Sequence, residues 1–236
     1  MIKYDETRKE TLSAIAVAFD LEGFSDFCKH PDNLPKVPKL ISHLFSLLSR
    51  HSGDIFDLIS CPDDAQMFLE PDFMKYTGDG ALLLWRLRGD PEADNDAVTT
   101  VVGGMRRFQN TYAQQAREWE RQLMVSHLPK NVRVGIAGGE VYPLYLESPV
   151  VMPNSQPADY VGYCINLAFR LQAHFPELGF MVQERLKPSI KGLRPEKAIN
   201  VRGCHSEEVL IFEDDFERVS RTEETNCSAK LWVPDF

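Results

Sequence analysis

The chain has 236 residues, 43% hydrophobic and 26% charged, with a formal net charge of −9, a balance that suits one large globular domain and lacks the basic face of a general nucleic-acid binder. No apolar run approaches the ~20 residues needed to cross a bilayer, so no membrane partner is expected. The five cysteines are scattered without C-x-x-C spacing, which argues against a zinc site or disulfide framework and fits reduced thiols in a cytoplasm.

Residues 1–12 read as a polar lead-in, too charged for a secretory signal. Ala14 to Ala18 form a buried strand that delivers Asp20 to its tip, with Glu22 and the turn glycine Gly23 beyond. Phe24, Phe27 and Cys28 then change to helical spacing. Lys36 to Arg50 carries Val37, Leu40, Ile41, Leu44, Leu47 and Leu48 on one face of an amphipathic helix. Asp54 to Ser60 could start a strand, and Cys61 to Asp72 reads as loop.

Phe73 to Trp85 places two apolar runs around Gly78-Asp79-Gly80, a hairpin signal. A long helix from Asp94 to about Met124 follows, with Val98, Val101, Val102, Met105, Phe108, Tyr112 and Trp119 facing inward. Asn131 to Ala137 alternates as a strand, and Gly138-Gly139 suggests a turn toward Glu140–Leu146. After a proline-rich loop from Glu147 to Asp159, Gly162 to Gln172 reads as a helix. Phe180–Val182 is a short strand, Gln183–Ile190 a short helix, and Val201 with Val209–Phe212 closes the sheet. Residues 213–236 form a tail, acidic and then basic. The sum is one α+β domain over 13–212, a mixed sheet covered by helices.

Asp20 at a strand tip and Asp79 at a hairpin turn, on adjacent strands, would present two carboxylates to a pair of divalent cations, the arrangement of phosphoryl chemistry. Helix N–H groups after Gly23 would face phosphate. Each feature also has a plain reading. Asp20 could cap the helix, Gly78-Asp79-Gly80 could be only a turn, and Asn166 with Arg170 could lie on a solvated helix face.

Four motifs in order resolve this ambiguity. They are Phe19-Asp20-Leu21-Glu22-Gly23-Phe24, Lys75-Tyr-Thr-Gly78-Asp79, Val134-Gly135-Ile136-Ala137-Gly138-Gly139 and Gly162-Tyr-Cys-Ile-Asn166-Leu-Ala168-Phe-Arg170. Together they resemble the motifs of class III nucleotidyl cyclases, over about Ser13 to Phe212. The resemblance implies a ferredoxin-like fold, a mixed, mostly antiparallel sheet, and a head-to-tail homodimer. In that family one subunit would give Asp20, Asp79 and the Leu21 carbonyl to two Mn²⁺ or Mg²⁺ ions, with Gly23 and Phe24 on the phosphates. The partner would give Lys75 and Asp159 to the base, Asn166 to the ribose and Arg170 to the triphosphate. Where the family commonly has a lysine late in the chain, this sequence offers Arg202, which keeps the charge and adds a bidentate fork. The stretch between Gly53 and Gly78 is longer than usual, so the loop of residues 60–72 resembles an insertion.

Lys75 and Asp159 stand where adenine-specific members carry these residue types. A donor beside an acceptor also suits cytosine and uracil, and bulky neighbours such as Tyr76 or Tyr160 could narrow the pocket. The whole chain resembles the stand-alone bacterial pyrimidine cyclases of anti-phage defence, whose cyclic UMP or cyclic CMP activates a separate effector protein. Adenylate cyclase is the alternative. A degenerate dimerising or nucleotide-binding module would lack the metal carboxylates or the Asn/Arg pair, whereas Asp20, Asp79, Asn166 and Arg170 are all present, and another two-metal phosphotransferase would leave Asn166 and Arg170 unexplained.

Overall fold

A computed structural model describes residues 10–53, 70–145, 157–174, 179–200 and 206–215. The expected strand at 54–60, most of the loop at 60–72, Val201, Arg202, the tail beyond 215 and most of the lead-in lie outside those residues.

The first strand, β1 (Leu12–Leu21), leads to a short helix α1 (Phe24–Lys29), a 3-10 turn and helix α2 (Val37–Gly53). The hairpin β2 (Phe73–Tyr76) and β3 (Ala81–Arg86) precedes helix α3 (Pro91–Leu123) and the long strand β4 (Val132–Leu144). Then come β5 (Asp159–Val161), α4 (Tyr163–His174), β6 (Phe180–Gln183), β7 (Leu193–Asn200) and β8 (Ser206–Phe212). The strand order is β2-β3-β1-β4-β6-β8-β7, with β5 paired to β4. Only β4 and β6 run parallel; the other pairs are antiparallel. This is the mixed, mostly antiparallel α+β sheet expected from the sequence.

β1 lies inside the sheet, between β3 and β4, and divides the molecule. Ile15, Val17, Phe19 and Leu21 pack on α2 and α3 in one core, while Ala14, Ala16 and Ala18 pack on the face covered by α4. Small side chains on that face let α4 approach closely, and Gly135 completes the fit. A Cβ there would overlap the Ala168 carbonyl and the Gln172 amide.

Several elements differ from the sequence reading, β5 among them, which falls where loop was expected. Gly138-Gly139 makes no turn: β4 runs straight through, and the two glycines instead admit Leu186 and Cys164, whose carbons would lie 3.3 and 3.2 Å from added Cβ atoms. α3 begins at Pro91 because Asp90 caps it, accepting from the Glu92 and Ala93 amides, while Asp94 accepts from Arg88 and Gly89. Only Glu184–Leu186 of the expected helix at Gln183–Ile190 turns, as a 3-10 segment. β7 went unread because its polar residues and Pro195 suit an edge strand, where no neighbour requires the missing N–H. Among the described residues no helix is long and apolar enough to cross a membrane.

Candidate active site

Alternation along β1 puts the Asp20 side chain on the α4 face and buries the Leu21 side chain in the opposite core, so Leu21 has only its carbonyl to offer. The β2–β3 turn folds back against the tip of β1. Gly80 makes this possible: a Cβ at that position would overlap the Phe19 carbonyl oxygen and lie 2.9 Å from the Asp20 Cα. The close approach brings Asp79 within hydrogen-bonding reach of Asp20. Burial, the hydrogen bond with Asp20 and the charge of Asp20 together push the Asp79 carboxyl up to about 6, with Arg133 partly opposing them.

Arg133 lies directly across from Asp20 in the β1–β4 ladder and donates from Nη2 to Asp20 Oδ2 at 2.6 Å. Gln172, on the inner side of α4, reaches the same oxygen at 3.4 Å. Sequence reasoning missed both residues. Each touches Asp20 only through tertiary register, which local spacing does not encode.

Gly23 takes a left-handed conformation, φ 83°, and opens α1; Phe24 is half-buried against the core below it. On β2, just before the same turn, Lys75 forms an ion pair with Asp159 on β5. Two residues far apart in sequence are thus brought together, with Asp159 also accepting from the Tyr160 amide at 2.9 Å. Tyr160 is buried against Phe73, their rings 5.0 Å apart edge to face. Tyr76 instead turns to Phe45 on α2, 4.5 Å away.

Asn166 is exposed and Arg170 half-buried, one turn apart on α4. Both lie on the side opposite the buried row Cys164, Leu167, Ala168 and Leu171. Arg170 is two residues, hence about 200° of helix rotation, from Gln172, the α4 residue that touches Asp20. The Asn166/Arg170 face is therefore turned away from the carboxylates of its own chain. Arg202 lies outside the described residues.

The donor set fits hard divalent cations. Two carboxylates within reach of one another supply oxygen only, the donor type such ions prefer. Among the described residues no group of three or more His, Cys, Asp or Glu could hold a metal, so further ligands would come from backbone or substrate oxygens. That is how Mg²⁺ and Mn²⁺ are bound beside nucleoside phosphates.

No family model and no curated protein sequence matches the chain. Solved structures do. A bacterial light-regulated adenylyl cyclase superposes with a TM-score of 0.62 at 15% identity, covering 90% of this chain and 99% of that one. The adenylyl cyclase CyaB from P. aeruginosa gives 0.59 at 14% identity, covering 87% and 95%. The guanylyl cyclase Cya2 gives 0.56 at 14%, covering 86% and 92%. At these identities the likeness concerns architecture: the chain has the class III nucleotidyl cyclase fold, along nearly the full length of those domains.

Proposed function

We propose that the chain is a nucleotidyl cyclase that closes a nucleoside triphosphate to its 3′,5′-cyclic monophosphate and releases pyrophosphate, at sites shared by two head-to-tail copies. One observation carries the reading. Asp20 and Asp79 converge on one face of the sheet, while Asn166 and Arg170 point away from them on α4. A substrate touching all four needs the α4 of a second copy, which the two-fold symmetry of a homodimer supplies twice.

In this reading Asp20, Asp79 and the Leu21 carbonyl would hold two Mn²⁺ or Mg²⁺ ions, whose charge would lower the pKa of the ribose hydroxyl and offset that of the phosphates. Gly23 and Phe24 present backbone N–H groups to the phosphates. The partner's α4 sets the ribose through Asn166, so that the 3′-oxygen lies in line with the α-phosphorus. Arg170 places its planar fork on phosphate oxygens and offsets the charge growing on the leaving pyrophosphate. Arg202 adds a second cation there. Lys75 donates to the base and Asp159 accepts from it, once the nucleotide has separated their ion pair.

The substrate we infer is a pyrimidine nucleotide, UTP or CTP. Tyr160 packs edge to face on Phe73 beside the Lys75–Asp159 pair, and aromatic bulk there would narrow a base pocket toward a single ring. The resemblance of the sequence to the pyrimidine cyclases of bacterial defence supports the same reading and would give the product a messenger role, read by a separate effector in the cytoplasm. ATP is the second reading, because adenine offers the same acceptor beside a donor.

The test is mass spectrometry of the products formed with Mn²⁺ from an equimolar mixture of ATP, GTP, CTP and UTP. Cyclic UMP or cyclic CMP as the main product is expected. Predominant cyclic AMP would overturn the pyrimidine assignment, and linear products alone would overturn cyclisation.

A further inference from the structure

Arg133 has no part in the scheme above, yet its 2.6 Å bond to Asp20 is much shorter than the 3.4 Å contact from Gln172. Its guanidinium and the Asp20 carboxylate are largely buried, with side-chain exposures of 21% and 26%. Asp79 interacts with Asp20 and feels the charge of Arg133, so the cluster holds two carboxylates and one permanently charged cation. The Arg133 Nε is buried without a hydrogen-bond partner. A guanidinium committed to a structural network would satisfy that atom. This one is held through its end alone, which is the grip of a group that can be shifted.

We propose that Arg133 is an internal counter-cation: it stands in for the divalent ions while the site is empty and opposes their binding until a nucleotide arrives with them. The proposal rests on Asp20 and Asp79 being the metal ligands.

Two adjacent, partly buried carboxylates repel, and a cation beside them keeps the strand tip and the hairpin turn together. The same charge repels an incoming Mg²⁺ or Mn²⁺. Even with the full dielectric of water between them, a unit charge about 5 Å from a divalent ion changes its affinity by about tenfold. A metal–nucleoside triphosphate complex is anionic, so Arg133 attracts it where it repels the bare ion. The site would then load metal and nucleotide together, rather than hold metal alone.

The experiment titrates Mn²⁺ into nucleotide-free protein, following the free ion by electron paramagnetic resonance. It compares the unaltered chain with Arg133→Gln, which keeps a donor and drops the charge, and Arg133→Lys, which keeps the charge. Asp79→Asn marks the site. Arg133→Gln should bind Mn²⁺ about tenfold more tightly and gain more in melting temperature on adding it, while Arg133→Lys stays near the unaltered protein. Tightening by both variants alike would overturn the charge argument. So would binding unchanged or weakened in Arg133→Gln, since a residue that merely orients Asp20 loses affinity when removed. If Arg133→Gln does not fold without metal, the Arg133→Lys comparison is joined by Arg133→Met refolded with Mn²⁺ and then dialysed against graded free Mn²⁺. Retention no tighter than in Arg133→Lys refutes the idea. Mn²⁺ binding that Asp79→Asn leaves untouched would refute the metal assignment itself, and is thereby told apart.

Discussion

Gly80→Ala tests whether the metal carboxylates depend on one tight contact between hairpin and strand. Gly80 has no positive φ, so the substitution is a steric change rather than a backbone one. The added Cβ would overlap the Phe19 carbonyl oxygen and lie 2.8 Å from its carbon and 2.9 Å from the Asp20 Cα. Carbon atoms settle about 3.5–4.0 Å apart, so the turn has to retreat by about 1 Å. Asp79 moves with it. Overpacking of this kind costs about 1–3 kcal/mol of stability, which the fold should survive. A displacement of about 1 Å in a catalytic group is worth roughly a hundredfold in rate. Gly78→Ala is the control: nothing lies within 4 Å of its added Cβ, and only the φ of 107° is strained. The assay follows cyclic nucleotide formation at saturating Mn²⁺ beside thermal unfolding. Expected is a loss near a hundredfold for Gly80→Ala, at a temperature where the protein stays folded, and a much smaller loss for Gly78→Ala. A Gly80→Ala protein within threefold of normal turnover would refute the coupling of turn position to chemistry.

Three further outcomes follow from the same geometry. Asp79→Ala and Arg170→Ala should each be inactive alone, yet an equimolar mixture should regain about a quarter of normal turnover, because half the dimers are then mixed and each carries one intact site; no recovery after subunit exchange would exclude shared sites. In metal-free protein, Asp79 binds its proton more tightly folded, at about 6, than at its ordinary value of 3.8. Its stabilising contribution is therefore full below pH 4 and lost as pH rises through 6, so melting temperature should fall across that window by the equivalent of about 1 kcal/mol after allowing for solvent screening, and Asp79→Asn should flatten the profile. Arg106 on α3 donates to Asp215 at 2.8 Å and lies over the Phe212 ring at 4.4 Å, with Asp215 only 6% exposed. Arg106→Ala should cost about 3 kcal/mol in urea unfolding, and replacing both partners by apolar residues should cost less than the single change.

Apolar periodicity revealed the elements that bury a continuous face. β1, the β2–β3 hairpin, α2, α3 and α4 were legible because Ile15, Leu44, Val101 and Leu171 recur at the spacing of their element. The elements missed were those whose order comes from neighbours. β5 is three residues long and exists by pairing with the end of β4, and β7 pairs with β8 alone. Gly138-Gly139 looked like a turn because sequence does not say whether a glycine serves the backbone or an approaching side chain. For the proposed site, the ordered motifs named Asp20, Asp79, Lys75, Asn166 and Arg170, and the family resemblance added Asp159. Arg133 escaped although it stands two residues before Gly135 in a quoted motif, because its partner is set by ladder register. Tyr76 was weighed as a pocket wall, yet alternation along β2 turns it to Phe45 on the other face.

The odd-and-even split of β1 gives the molecule two packed halves, and only the one bearing α4 also carries Asp20 of the proposed site. Thermal robustness can be raised by repacking the side that holds Phe19, Phe108 and Tyr112 while the surface addressed by substrate stays as it was. Directed evolution for heat tolerance would accordingly do best to draw its library from one half of the sandwich.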